Sequence, residues 1–548
     1  MTGLLFVNGR VFDGQRDRGR QAVAVRDGRV VAMGDLDVAR EQAGPDAEEV
    51  DLAGGMLVPG FQDAHVHPMI GGLEQLRCDL SGLGSREEYV AALRRHVAER
   101  PDDEWVRGGG WSVDMFGPEG PTASMLDEIV SDRPAFLPST DHHDAWVNTR
   151  ALEIAGITSA TPDPPDGWFV RDADGNPTGT VREAAMAMVG DHVTTSREEY
   201  ADALRSAQQH LYSWGITGWH DALIGGYAGL DDPTQAYLDL IAAGELNSLV
   251  HTSQWWDRDR GLEQVQDLCD QRDRLAEAGL DARSVKVMMD GVTQTFTAAM
   301  SEPYVGELHC PCGDSGLNFL SRHEAIEAVT ALDDAGFQVH FHAIGDLAVT
   351  HALDAVEAAR RANGMNDRRH QVAHLQLVRP EDRGRFRSLG VSANIEGMWA
   401  SSMTPAVELL APHLDDRRMQ WHYPVADILA AGGHVAGGSD WPINPPDVIA
   451  AIHVLVNRCA YGSDEDAKDP LTPEQAITIE QALEAYTHGS AWVNHRTDAG
   501  MIQVGSRADA VVLDQDLCAL PNEELGRTRV MRTYTEGRLV FERDGRGG

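Results

Sequence analysis

One pattern constrains the fold of this chain more than any other: short apolar runs alternate with stretches of helical periodicity. The runs are "GMLVPGFQDAHVH", "PAFLPST", "GITGWHDA", "SLVHTSQ", "RSVKVMMDG", "FQVHFHAIGD", "RHQVAHLQLV", "GVSANIEGMW" and "HVAGGSDWP". Between them lie amphipathic segments such as "SREEYVAALRRHVAER", "REEYADALRSAQQHLYSWG" and "SRHEAIEAVTALDDAG". Repetition of this kind predicts βα units and a parallel sheet. About eight such units fit a (β/α)8 barrel with insertions better than an open sheet. The barrel is expected over residues 59–495.

The two ends read differently. Near the start, "LLFVNGRVFDG" offers an Asn8-Gly9 turn and "AVAVRDGRVVAMG" an Asp27-Gly28 turn; near the end, "VMRTYTEGRLVFERDG" turns at Glu536-Gly537 after the run "RADAVVLD". These are hairpin signals. Residues 1–58 and 496–548 are therefore expected to complete one small β-sandwich across the long insertion between them. The stretch from about Pro101 to Ser196, rich in Pro, Gly, Asp and Trp, is expected to be in part an elaborated loop region over the barrel mouth.

Charge narrows the partners. The 86 acidic residues against 46 basic ones give a formal charge of −40, which disfavours nucleic acid and anionic membranes. No window approaches the roughly 18 uninterrupted apolar residues of a membrane span, and the first residues lack the apolar core of a signal peptide. A cytoplasmic protein acting on a small molecule is expected, with a homodimer allowed. Six cysteines over 548 residues are no disulfide framework. The one cluster, "HCPC" at His309 to Cys312, lacks the second pair of a zinc knuckle.

Ligand-type residues gather at predicted strand ends. In "DAHVH", His65 and His67 are two apart, a spacing that places both imidazoles on one side of a strand. His342, His374 and Asp440 close three later runs. Strand C-termini of a parallel barrel converge on one mouth, so these five residues become neighbours. His340 could share the face of His342, which is preferred as the nearer to the strand end. Lys286 is one of only two lysines, the other being Lys468, and it sits in the apolar run "SVKVMMDGV". A snorkelling lysine or an ion pair with Asp290 would account for it without a functional role.

The markers "VPGFQDAHVHP", "DHHDAWVNTRAL", "GTVREAA", "VKVMMDG", "HFHAIGD", "VAHLQ", "GSDWP" and "AGMIQVGSRADAVVLD", in this order, resemble the amidohydrolase superfamily. Within it the likeness is to YtcJ-like metal-dependent hydrolases of amidohydrolase family 3, including N-substituted formamide deformylases. The resemblance implies a barrel with one or two divalent metals, usually Zn2+, with Mn2+, Fe2+ or Co2+ as alternatives. Carried over, His65, His67 and Asp440 hold the first metal and His342 and His374 the second. Lys286, carrying a CO2-derived carbamate, bridges them, a role open to lysine and closed to arginine. Glu183 is a rival bridging carboxylate, or else a helix-entry residue paired with Arg182. His143 and Asn148 are pocket candidates, although His142 stands where the family usually has Gly.

The chemistry implied is attack of a metal-activated water on a carbonyl carbon, with Asp440 and His374 as the catalytic residues and Asp440 as base and then acid. An amide, such as an N-substituted formamide or other N-acyl compound, is the first expectation for the substrate. A cyclic amide or imide, a carbamate, ring deamination at a mononuclear site, and a noncatalytic metal-binding scaffold are the alternatives. Trp111, Trp146, Trp255, Trp256, Trp399 and Trp441 could wall an apolar pocket or simply fill cores.

Overall fold

The computed structural model describes residues 3–544 except 118, 166, 227–230, 307–312, 403 and 462–469. The "HCPC" cluster and Lys468 lie outside the described residues. Eight parallel strands form one sheet: β1 (Phe61–Val66), β2 (Ile216–Ile224), β3 (Leu249–Trp255), β4 (Asp281–Met288), β5 (Gln338–Ala343), β6 (Gln371–His374), β7 (Ser392–Glu396) and β8 (His434–Gly438). Each pairs with the next in chain order. The sheet curls back on itself, since Asp440 N donates to His65 O at 2.8 Å and Ser439 N to Asp63 Oδ1 at 3.0 Å. The expected (β/α)8 barrel is thus present.

Alternation along each strand divides the barrel into two environments. Val285 and Val287 on β4, Val339 and Phe341 on β5 and Val372 on β6 are fully buried in the apolar core shared with the surrounding helices. Their neighbours in sequence, Ser284, Lys286, His340, His342 and Gln371, are buried polar residues, and side-chain contacts across the barrel place them in its interior. The helices are set by capping as well as by packing. Ser85, Ser196 and Ser321 each accept a backbone N–H at the start of the predicted helices Arg86–Glu99, Arg197–Ser213 and Arg322–Asp334.

The segment expected to be loop is a folded layer. Six short strands, in the order Gly167–Arg171, Pro177–Glu183, Asp144–Val147, Ala135–Pro138, Val106–Gly109 and Cys78–Asp79, form a mixed sheet. "PAFLPST" belongs to this sheet and not to the barrel. Its glycines serve close packing: a Cβ on Gly179, at φ +117°, would lie 2.2 Å from Ala123 N. Residues read from composition as loop-forming are there for backbone approach.

At the termini, a four-stranded sheet and a six-stranded sheet share a core that includes Leu4, Phe6, Val25, Leu57, Val512 and Tyr534. The six-stranded sheet joins Met56–Pro59 from the beginning of the chain to Ala510–Leu513 from its end. The hairpins at Asp27-Gly28 and Glu536-Gly537 form, with positive φ at both turn residues. Asn8-Gly9 does not make one. Asn8 has φ +62° but Gly9 is not left-handed, and the chain crosses there from one sheet to the other. Among the described residues no helix is long and apolar enough to cross a membrane.

Candidate metal centre

The C-terminal ends of the barrel strands bring the sequence-selected residues to one buried place. Asp440 Oδ1 lies 3.3 Å from both His65 Nε2 and His67 Nε2, so the H-x-H pair does face one point. Asp440 Oδ2 is 3.9 Å from His374 Nδ1. Ligand atoms of His65, His374 and Asp440 all lie within 4.8 Å of one another. Lys286 Nζ is 3.3 Å from His65 Nε2. The rings of His342 and His374 are 4.4 Å apart, and His342 Nε2 faces the Gly291 carbonyl at 3.2 Å. His374 therefore groups with His65 and Asp440 as closely as with His342.

Backbone conformation helps set this arrangement. His374 has φ +78° and Asp440 φ +57°, and at the rim His142 and Glu183 have φ +60° and +50°. Left-handed backbone at residues other than glycine costs about 1–3 kcal/mol each and persists only where the surroundings hold it. Its concentration here marks a built site.

The electrostatics suit a cation. Burial holds His65 and His342 well below the ordinary imidazole pKa, so both rings are neutral. Burial also lowers the Lys286 amine to about 8, against the opposing charges of Asp440, Glu396 and Asp221. Burial pushes Asp440 up, but the close approach of His67 and the charges of His374, His67 and Lys286 outweigh it and leave the carboxyl below its usual range. Asp440 Oδ1, His374 Nδ1 and both oxygens of Glu396 are buried without a hydrogen-bond partner. Convergent orphaned donors of this kind fit a divalent metal.

Glu396 was not foreseen. It ends β7, is 1 % exposed, and sets Oε2 3.3 Å from His374 Nδ1 and Oε1 3.9 Å from His65 Nδ1. The strand-end rule, applied to "SANIE", finds it. Asp290 is no partner for Lys286: it accepts the backbone N–H groups of Ala299, Ile344 and Gly345.

A cavity of about 70 Å³ opens on this centre, lined by His65, His67, Lys286, His342, His374 and Asp440 together with His143, Trp255 and Trp399. Trp399 stacks on His374 with ring centroids 5.4 Å apart. His143 Nδ1 pairs with Glu183 Oε2 at 2.9 Å, while Thr297 Oγ1 donates to Glu183 Oε1. Burial pushes His143 down, but the charge and hydrogen bond of Glu183 raise it to about 9. Glu183 is thus engaged with His143, and Arg182 lies 3.3 Å from Asp144. A neighbouring cavity of about 300 Å³ shares His142, Trp255 and Met288 with the first and adds Trp256 and Phe319.

Three pocket candidates lie elsewhere. Trp111 is fully buried in the inserted layer, its Nε1 donating to Leu137 O and its ring packed near Trp146. Asn148 caps the helix Thr149–Ile154 and binds backbone groups of Val130, Arg133 and Ala135. Trp441 stacks on His210 with centroids 4.8 Å apart and fills the space beside Gly71.

Comparison with known proteins agrees with this architecture. Residues 48–541 match the model of a family described as the amidohydrolase family. The chain is 29% identical to YtcJ of Bacillus subtilis (strain 168) over 531 residues, covering 95% of this chain and 96% of that protein. It is 28% identical over 572 residues to the N-substituted formamide deformylase of Arthrobacter pascens, covering 100% and 99%. Among solved structures, an uncharacterized metal-dependent hydrolase from Pyrococcus horikoshii OT3 superposes with a TM-score of 0.72 at 26% identity, covering 95% of this chain and 99% of that one.

Proposed function

Because the chain belongs to the amidohydrolase family, a family of metal-dependent hydrolases, we propose that it cleaves a carbon–nitrogen bond of amide, N-acyl or N-formyl type in a small molecule. The observation that carries this reading is the buried cluster of His65, His374 and Asp440, whose orphaned atoms face a cavity at the barrel mouth.

His65, His67, His374 and Asp440 would hold one divalent ion, most readily zinc, and His342 a second, with Lys286 between them as a carbamate. Such an ion supplies Lewis acidity, acidifying a water and polarising a substrate oxygen. The chain's own groups do the rest. Asp440, kept ionised by the rings around it, accepts the proton of the attacking water and returns it to the leaving nitrogen. His143, cationic through Glu183, stands on the cavity wall where it can donate to a substrate oxygen. Trp255 and Trp399 exclude water and receive an apolar substituent.

The test is a hydrolysis panel of N-formyl and N-acyl amines, lactams and carbamates with zinc- or manganese-loaded protein, run beside Asp440→Asn. We expect turnover of an open-chain amide, and a loss of about 10²- to 10⁴-fold in Asp440→Asn with most of the metal retained. Near-normal turnover by that variant removes Asp440 from its role. A fully metallated protein inactive on the whole panel is a scaffold.

A further inference from the structure

The barrel interior below the candidate centre is polar, where such barrels are usually filled by Val, Ile and Leu. A hydrogen-bonded chain crosses it. His65 Nδ1 lies 2.8 Å from His340 Nε2, and His340 Nδ1 lies 3.3 Å from Ser253 Oγ. Ser253 Oγ is 2.7 Å from His220 Nε2, and His220 Nδ1 is 3.0 Å from Gln371 Nε2. All five side chains are 0 % exposed. The hydrogen-bonding contacts of His220 and His340 are all to imidazole, hydroxyl or amide groups, none of which supplies a charge to hold a second proton on the ring. A neutral imidazole has one donor nitrogen and one acceptor, so each contact fixes the next.

The far end is fixed by the backbone. Asn394 Nδ2 donates to the Ala64 carbonyl and to Gln371 Oε1, both at 2.9 Å, which turns the Gln371 NH2 toward His220. His220 Nδ1 therefore accepts, and its proton sits on Nε2, aimed at Ser253 Oγ. The Asn494 amide, placed with Oδ1 3.1 Å from the same Nδ1, makes no other side-chain hydrogen bond among the described residues and takes the reverse orientation, Nδ2 toward the ring, under this assignment. The near end is fixed by function. His65 faces Asp440 and Lys286 through Nε2, so a metal there needs that nitrogen bare and the proton on Nδ1, directed at His340 Nε2. His340 then carries its own proton on Nδ1, also aimed at Ser253. Glu396 Oε1, 3.9 Å from His65 Nδ1, favours the same proton position.

Two imidazole donors thus meet at one oxygen. We propose that Ser253 is a positioning residue whose hydroxyl accepts both, allowing His65 to keep Nε2 free for the metal against the donor direction imposed by Gln371. This rests on the reading of His65 as a metal ligand. Without the hydroxyl, His220 Nε2 faces His340 Nδ1 at 3.5 Å and donates to it. His340 must then hold its proton on Nε2 and give it to His65 Nδ1, which leaves His65 protonated at the nitrogen the metal requires.

The experiment measures zinc affinity of the full-length protein by competition with a chromophoric chelator. Ser253→Ala is expected to weaken binding about 10- to 100-fold, and Ser253→Thr, which keeps the hydroxyl, much less. The double variant Ser253→Ala with Gln371→Met is expected to recover most of the loss, because His220 Nδ1 can then donate to Asn494 and Nε2 can accept from His340. An unchanged affinity in Ser253→Ala overturns the proposal. So does a double variant that folds normally, by its melting temperature, and binds no better than the single one. In the zinc-loaded wild type, 15N shifts should place protons on Nδ1 of both His65 and His340, and a proton on His340 Nε2 overturns the proposal whether or not the variants fold. Equal affinity in His65→Ala instead sinks the metal reading of His65, a different failure with a different readout.

Discussion

Lys286 is 3 % exposed, with its amine against His65 and its pKa lowered to about 8 by burial. A lysine so placed holds a neutral amine at neutral pH far more often than a surface lysine does, and the neutral amine is the form that combines with CO2. Native mass spectrometry of the zinc-loaded protein is therefore expected to show an addition of about 44 Da that is lost in Lys286→Arg. Two metals per chain without that mass would remove the carbamate bridge. The residue itself was conspicuous in sequence because lysine is otherwise nearly absent. Glu396 was not, because one carboxylate among 86 acidic residues carries no such contrast. What distinguishes it is burial without a hydrogen-bond partner, and burial is visible only once the strands are assembled.

Secondary-structure elements differ in how far they could be read. The barrel strands were legible because each is a short run in which apolar residues dominate or alternate with buried polar ones, and the helices because serine caps precede periodic segments. The inserted layer was not, because strands of two to seven residues interrupted by Pro and Gly have no period long enough to detect. Asn148 shows the effect on site prediction. Its place in "DHHDAWVN" suggested a pocket, yet its carbonyl oxygen accepts from Ala135 N and Ala151 N while its amide donates to Val130 O and Arg133 O. Asn148→Ala loses a helix cap and leaves the buried Ala135 N–H unpaired, a cost of roughly 2–4 kcal/mol. The expected result is a lower denaturant midpoint with unchanged KM in the folded fraction. A raised KM at normal stability would return Asn148 to the pocket.

Over the whole molecule, histidine burial sets the response to acid. Outside the candidate centre, burial lowers His210, His422 and His495 to about 4 and His434 to about 3. Below about pH 6.5 the unfolded chain protonates these rings and the folded one does not, so stability falls with pH by roughly 1.4 kcal/mol per ring per pH unit. Buried carboxyls act with the opposite sign. Asp63, Asp144, Asp221 and Asp290 are raised to about 7 by burial, so between about pH 4 and 7 the folded chain binds the extra protons and stability grows as pH falls. These four carboxyls offset the four rings, and the net loss on acidification comes from the further buried rings held well below the ordinary imidazole range, His220 and His340 among them. Equilibrium denaturation at a series of pH values should therefore show a decline that begins just below pH 6.5, roughly the unperturbed imidazole pKa. A stability flat down to about pH 4.5 would mean that these rings are protonated in the fold and that their burial does not carry the stated cost.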